Sequence, residues 1–599
     1  MDGLAILLVS SAVLVAGYFV YSRVLGAILG LDPNRKTPAE TMRDGVDYVP
    51  AHPAVLFGHH FATIAGAGPI VGPVLAAQFG WASVLAWVLV GCVFIGAAHD
   101  MIALFLSVRH EGKSIGTVIG NILGPNGRSL FLLFSWSALI LVIAEFTRQI
   151  AATFVSNPGI ATASLLFIAE AVAFGFCVNR LRVGVLPASL VFVPLMFASV
   201  WLGGYIPLDL AAMLEGRTGD PVAAARMIWT VVLLGYCFLA STLPVWILLQ
   251  PRDYLNSYLL YAMMALGFLG VFTAHPEIKL EAFTAFHAEG RGGVSALFPF
   301  LFVTVACGAC SGFHALVASG TSSKQIASER HIRPVGYGAM LLEGVLAVLA
   351  LIGVAGTWNG AEYVDVVTRK EPVELFAGSL AGFCTSAFEL FGCGEESAAA
   401  GASAAGSFIL LAVSAFLMTS VDSATRLARF TWQEMFPVSD PYLVDRGVAA
   451  PPRLGTRIFR NMYIGTTMVV GLVAFLLLGS PEASKSLWTT FASANQMLAT
   501  LTLLTATLWF VKHRKPVFIT FVPMLFMMAV SVYALVLLFT GSLKSGDIVK
   551  TVATGVLLAL AGSLIAFGIK QLLVSSQGGR GYEHEHEHGH RHHGRHGGR

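Results

Sequence analysis

The chain is a succession of long apolar runs parted by short polar connections. Runs of spanning length, about 20 residues, fall near 4–29, 54–79, 81–107, 129–155, 162–178, 184–206, 225–250, 254–274, 295–318, 336–358, 404–425, 461–479, 487–511, 516–540 and 551–570. The pattern predicts an all-α polytopic membrane protein of about 15 transmembrane helices. Each run is expected to be helical, because backbone polar groups in hydrocarbon must be satisfied within their own segment. The first run, within Met1–Leu31, is too long for the core of a signal peptide and has no cationic segment before it. It therefore reads as a retained span.

Composition agrees with the pattern. The 599 residues are 56% hydrophobic and 12% charged, against about a quarter charged in soluble domains. A net charge of +3, without a basic stripe, gives no reason to expect a nucleic-acid partner. Lys and Arg number 21 in one alternate set of loops (30–53, 108–128, 179–183, 251–253, 319–335, 426–460, 512–515) and 8 in the other. The positive-inside rule then places the N-terminus outside and the C-terminus in the cytoplasm. Loop 359–403 is the longest external segment, acidic, and expected to form a short surface helix or hairpin. Most of the seven cysteines sit in apolar runs and read as small core residues. Cys384 and Cys393 share loop 359–403 and can pair in an oxidising compartment.

Chemistry concentrates where the apolar pattern is broken. The run Leu56–Pro73 contains His59, His60, Gly66, Ala67, Gly68, Pro69, Gly72 and Pro73. Proline removes a backbone donor and clashes with the preceding turn. Repeated Gly and Pro therefore predict a break near Gly66–Pro69. Broken backbone at mid-bilayer depth persists where it lines a cavity, with half-helix N-termini available to anions. The alternative is a glycine face for close helix packing. A second break is expected at Leu239–Trp246 around Pro244, five spans on, as in a five-helix inverted repeat. In Cys307–Lys324, Ser311, His314, Ser319 and Thr321 are read as lining a polar cavity. Cys307, Cys310 and His314 stand at i, i+3 and i+7, one helix face, which leaves open a metal or redox site.

Intramembrane charges form the last group: His99 and Asp100, Glu145 with Arg148, Glu343, and Asp422 behind Thr419 and Ser420, with Arg426 one turn on. Such charges mark pathways or relays, or neutralise one another locally. Asp100, Glu145, Thr419, Ser420 and Asp422 are the coupling candidates, with Glu145 the best-placed relay. His59 and His60 point about 100° apart on a helix. Either is a proton-coupling group or both are structural. No Walker A, nucleophile-elbow or zinc-protease motif occurs, so neither an enzyme nor direct ATP drive is expected. The tail from 578 is a low-complexity Gly/His segment that can hold adventitious metal and builds no core.

Asp47–Pro50, Phe57–Gln78, Leu243–Trp246, Pro251–Leu255, Leu297–Leu301, Ser311–Leu316, Asp422 with Thr425–Arg426, Ala428–Phe430 and Ala494–Leu498 carry a resemblance. With these blocks the chain resembles the carbon starvation protein A family of bacterial transporters. The resemblance implies a carrier in the bacterial inner membrane that takes up small peptides or pyruvate-like carboxylates during starvation, with no required cofactor and a proton or sodium ion coupled. It also implies a fold similar to LeuT-type transporters, with a 5+5 inverted-repeat core of broken helices and a C-terminal bundle. Thr419-Ser420 resembles a sodium-site motif of betaine-type carriers. The expected division is 1–53, an N-terminal span and loop; 54–430, the core; 431–573, the C-terminal bundle; and 574–599, a disordered His-rich tail. A membrane starvation sensor and the metal or redox protein are the competing readings.

Overall fold

The computed structural model describes residues 1–44, 48–244, 247–291, 293–436, 454–479 and 487–577. Val245, Trp246, Asp47 and the His-rich tail from 578, with its expected metal binding, lie outside the described residues. Among the described residues, thirteen helices are long and apolar enough to cross a membrane, or up to fourteen if the bent pair Pro53–Ile64 and Gly68–Phe79 is one span. The protein is thus an all-helical polytopic membrane protein. A single hairpin, His287–Gly290 against Gly293–Ala296, is the sheet among the described residues.

One order of elements occurs twice. An interrupted helix (Pro53–Ile64 and Gly68–Ala76) precedes a helix, Trp81–Arg109, with a π turn at Gly91–Gly96, and then the 42-residue helix Ile115–Ser156. Further along, Leu297–Thr304, Ala306–Ala309 and Gly312–Gly320 form a second interrupted helix. It precedes Glu329–Thr357, with a π turn at Arg333–Gly338, and later the 40-residue helix Glu395–Glu434. A π turn disrupts the regular i→i−4 ladder. Here the Tyr337 hydroxyl donates to Val93 O at 2.9 Å and ties the two π turns together. The long helices run antiparallel, since Ser114, the N-cap of one, donates to Glu434 at the end of the other at 2.9 Å.

The second break is not where Pro244 suggested. Helix Pro221–Thr242 ends just before that proline and a new helix starts at Leu249, so the segment connects two spans. The run 295–318 is interrupted instead, and 461–479 yields the 17-residue helix Met462–Leu478. The stretch expected as an external loop holds Gly360–Arg369, with an Asn359/Glu362 capping box, and the half-buried helix Pro372–Leu390. Gly267 faces Leu380, and Gly270 faces Phe383 and Cys384, so this helix runs parallel to Leu249–Ala274. Lys279 N donates to Ala355 O, which puts the ends of Leu249–Ala274 and Glu329–Thr357 on one face. The chain after Thr357 therefore dips back into the body before Pro372–Leu390 rises to that same face. All seven cysteines are free, so Cys384 and Cys393 are not bridged.

The N-terminus lies on that face too, through Gly3 N to Pro276 O at 2.8 Å. On the opposite face the basic loops meet. Tyr48 bonds Glu111 O, Ala51 N bonds Gln325 O, and Arg109 clasps Glu329 at 2.8 and 2.9 Å. Helix Leu487–Lys512 runs through the interior, with 89% of its apolar stretch buried.

Candidate functional site: two interrupted helices and two buried charge clusters

The first interruption spans residues 65–67, and the two halves bend by 44°. Ala65 leaves helical geometry, and Pro69 cannot donate to the preceding turn. The second interruption lies at Val305 and at Cys310–Ser311, where Cys310 is extended (φ −166°, ψ 117°). Cys307, Cys310 and His314 therefore do not share one helix face. No group of three metal-ligating side chains is found among the described residues.

Glycines let the two interruptions touch. A methyl added at Gly68 would lie 2.2 Å from Cys307 Cβ, and one at Gly72 would lie 2.6 Å from Thr304 O. Ser420 presses on Gly66 from the long helix, its Oγ 2.7 Å from where a methyl would sit. Between Gly66, Gly68, Ser311, Ser420 and the rings of Phe146 and Phe491 remains a hollow. It has room for about one water, so the site is closed. The backbone N–H groups of Ala67, Gly68, Ser311 and Gly312, at the starts of the two half-helices, have no hydrogen-bond partner among the described residues. Asn495 of helix Leu487–Lys512 holds the second interruption in place. Its Oδ1 accepts from Phe313 N at 2.8 Å, and its Nδ2 reaches Ser311 Oγ at 3.0 Å and Cys307 Sγ at 3.3 Å.

Two residues into the same nine-residue half-helix stands His314. Its Nδ1 is 2.7 Å from Asp100 Oδ2, and its Nε2 is 3.2 Å from Glu343 Oε2. His99 Nδ1 reaches the other oxygen of Asp100 at 2.7 Å. All four side chains are buried. Asp100 follows the first π turn by four residues and Glu343 the second by five, so the two π-turned helices present their carboxylates to one imidazole. His60 Nδ1 lies 2.8 Å from Ser322 Oγ, just beyond this half-helix. Ser319 and Thr321 instead donate to their own helix, at Ala315 O and Val317 O, and add no lining to the hollow.

A second cluster surrounds Asp422. Its partner is Arg252 of helix Leu249–Ala274, across the fold; Arg426 donates to the carbonyls of Ala240 and Leu243. The Arg252 guanidinium also bonds Tyr236, Thr419 Oγ1 at 3.1 Å and Ala415 O at 3.3 Å. Asn256 Nδ2 donates to the same Thr419 oxygen at 3.1 Å, and Tyr236 donates to Asp422 at 2.7 Å. The apolar pattern puts Arg252 in the connecting loop 251–253, yet it is among the largest fully buried side chains. The signal was Pro244: read as a helix end, it moves Arg252 into the first turn of the next span.

Glu145 is held by its neighbours on the same helix. Arg148 grips both its oxygens, at 2.8 and 3.1 Å, and Gln149 donates at 2.7 Å. Arg148 also reaches Glu371, which takes two further bonds from Arg291 at 2.6 and 2.9 Å. Burial alone would raise the Glu371 carboxyl, but the guanidiniums of Arg148 and Arg291 override it and hold it at about 2.

Residues 2–374 and 357–534 match the family described as Carbon starvation protein CstA. The chain belongs to that family. It is 32% identical to the Pyruvate/proton symporter BtsT of Escherichia coli K12, over 89% of this chain and 81% of that one. It is 33% identical to the Peptide transporter CstA of Campylobacter jejuni, over 88% of this chain and 79% of that one. Among solved structures it is similar to MhsT in complex with L-phenylalanine, with TM-score 0.43 and 12% identity over 87% of this chain and 99% of that one. A CstA-family transporter, not an enzyme, is thus the class of this protein.

Proposed function

We propose that this CstA-family chain is a proton-coupled uptake carrier for small carboxylates, pyruvate or short peptides, of a bacterial plasma membrane, its basic-loop face cytoplasmic. One observation carries the reading. The unpartnered N–H groups of Ser311 and Gly312 and the Asp100–His314–Glu343 cluster share a single short half-helix. A substrate carboxylate meets N–H groups at the helix starts, where the dipole favours an anion. A proton meets an imidazole between two carboxylates, the side chain whose charge changes most readily near neutral pH. Displacement of the half-helix by one partner alters the contacts of the other, which is the differential affinity coupling requires.

The proton is favoured over sodium by the second cluster. Thr419 Oγ1 already accepts from Arg252 and Asn256, and a fixed cation sits beside Asp422. The relative named a pyruvate/proton symporter is consistent with that choice. Both relatives' named cargoes, pyruvate and peptides, carry a carboxylate, the group the half-helix starts recognise.

Proteoliposomes given labelled pyruvate or a dipeptide test this reading. Uptake is expected to follow an imposed pH gradient and to ignore a sodium gradient. Uptake driven by sodium and indifferent to pH overturns it. Gly68→Leu, which drives a side chain into Cys307, is expected to abolish uptake while the protein still inserts; full transport by that variant removes the interruptions from the substrate path.

A further inference from the structure

Asp253 stands next to Arg252 in sequence and has a different fate. Arg252 commits its guanidinium to Asp422, Tyr236 and Thr419. Asp253 is 1% exposed, and neither carboxylate oxygen has a hydrogen-bond partner. A buried carboxylate without a donor is costly as an anion, so such a site calls for a proton or a positive neighbour. The groups around it come from four helices. They are His59 from the first interrupted helix; Arg252 and Asn256 from its own; Thr419, Asp422 and Arg426 from the long helix; and Tyr236, behind Asp422, from Pro221–Thr242.

Of these, only His59 carries an imidazole, which can hold a proton on either ring nitrogen, and keeps an open edge. Its Nδ1 lies 3.5 Å from Asp253 Oδ2, and its side chain is 21% exposed. Both residues occupy the first two turns from the basic-loop face, since their helices begin at Pro53 and Leu249. Neighbouring residues on a helix diverge by about 100°. His59 accordingly faces Asp253, while His60 faces Ser322 at the end of the half-helix that carries His314. One dipeptide thus reaches Asp253 on one side and Ser322 on the other.

We infer that Asp253 and His59 form a second proton site, at which the carrier exchanges its coupling proton with the basic-loop face. A proton from water adds to Nε2 of His59, and the Nδ1 proton passes to Asp253 Oδ2. The carboxylate becomes a neutral acid and the imidazole is neutral again. Release runs the same two transfers backwards. The inference rests on the proton-coupled reading above.

The test uses the full chain in proteoliposomes with pyruvate as probe, and two measurements. One is net uptake driven by a pH gradient. The other is exchange of labelled for unlabelled pyruvate at equal pH, which needs no proton release. Asp253→Asn is expected to lower net uptake by more than about tenfold while exchange stays within about twofold. His59→Gln is expected to act in the same direction with a smaller loss, and Asp253→Glu to restore part of the net uptake. Wild-type net uptake by Asp253→Asn overturns the site, as does a parallel loss of exchange that Asp253→Glu does not relieve. If Asp253→Asn fails to assemble, the ratio of net uptake to exchange in His59→Gln decides by the same criterion. A wild-type protein that exchanges pyruvate but ignores a pH gradient overturns the proton-coupled function itself. Wild-type drive by pH together with unaffected variants overturns only the second site.

Discussion

The protein buries two charge clusters that look alike in outline and differ in their cation. Around Asp100, an imidazole bridges two carboxylates on the two π-turned helices. Around Asp422, a guanidinium binds a carboxylate, a phenol and a hydroxyl. Both lie out of reach of water, and both join helices distant in sequence. Histidine can give up its charge at physiological pH, whereas arginine stays charged. On the proton-coupled reading proposed above, the first arrangement is the one to change state during a transport cycle, and the second is a brace between Leu249–Ala274 and the long helix Glu395–Glu434.

The largest effect is expected at the brace. Arg252→Ala leaves Asp422 buried without its cation, a change that costs about 3–5 kcal/mol. Thermal unfolding of the purified protein should show it as a large loss of stability. Replacing both partners, Arg252→Met with Asp422→Leu, should recover much of that loss, because a well-packed apolar pair can equal a buried ion pair. A double variant no more stable than Arg252→Ala would mean that the guanidinium does more than neutralise one carboxylate.

His314→Gln is the contrasting test. Glutamine can still donate to one of the two carboxylates and leaves the other to take up a proton, so the fold should tolerate it better than Arg252→Ala, but it cannot itself carry a proton at neutral pH. Net pH-driven uptake is expected to fall by about a hundredfold or more, with unfolding temperature shifted only modestly. Equal damage to stability and uptake would erase the distinction between switch and brace. Asp100→Asn should resemble His314→Gln, since it removes the carboxylate that His314 and His99 share.

Legibility in the sequence followed how local each cause was. The interruption at Gly66–Pro69 is written in residues that cannot continue a helix. The interruption at Cys310 is not: Cys, Gly, Ala and Ser are all tolerated in helices. The geometry there comes from outside, with Asn495 Oδ1 capping Phe313 N and the Ala309 carbonyl set against Gly96, where a methyl would lie 2.2 Å from it. Spacing likewise paired Asp422 with Arg426 one turn away, while the actual partner lies 170 positions off in sequence. His314 and Asp100 were each visible as intramembrane ionisable groups, but nothing in a linear pattern says that 214 residues close to 2.7 Å. The descending segment 358–371 was hidden for another reason: its acidic residues read as a solvated loop, although Glu371 is held by Arg148 and Arg291.

That third cluster gives the comparison its lower end. Glu371, at the low end of the descending segment, joins the long helix Ile115–Ser156, through Arg148, to the hairpin region, through Arg291, below the face where the N-terminus lies. Its carboxyl is held at about 2, below the ordinary 4.5. Between those values the unfolded chain binds the proton and the folded one does not. The stabilisation is therefore complete above about pH 4.5 and declines as pH falls toward 2. Glu371→Gln should destabilise by about 1–2 kcal/mol at pH 7, because two guanidiniums remain and Arg148 keeps Glu145. Stability of the wild type and the variant, measured from pH 7 down to pH 3, should converge as the medium becomes acid. A gap that stays constant across that range would show that the carboxylate's charge is not what fastens this face, and that a neutral side chain of the same shape serves as well.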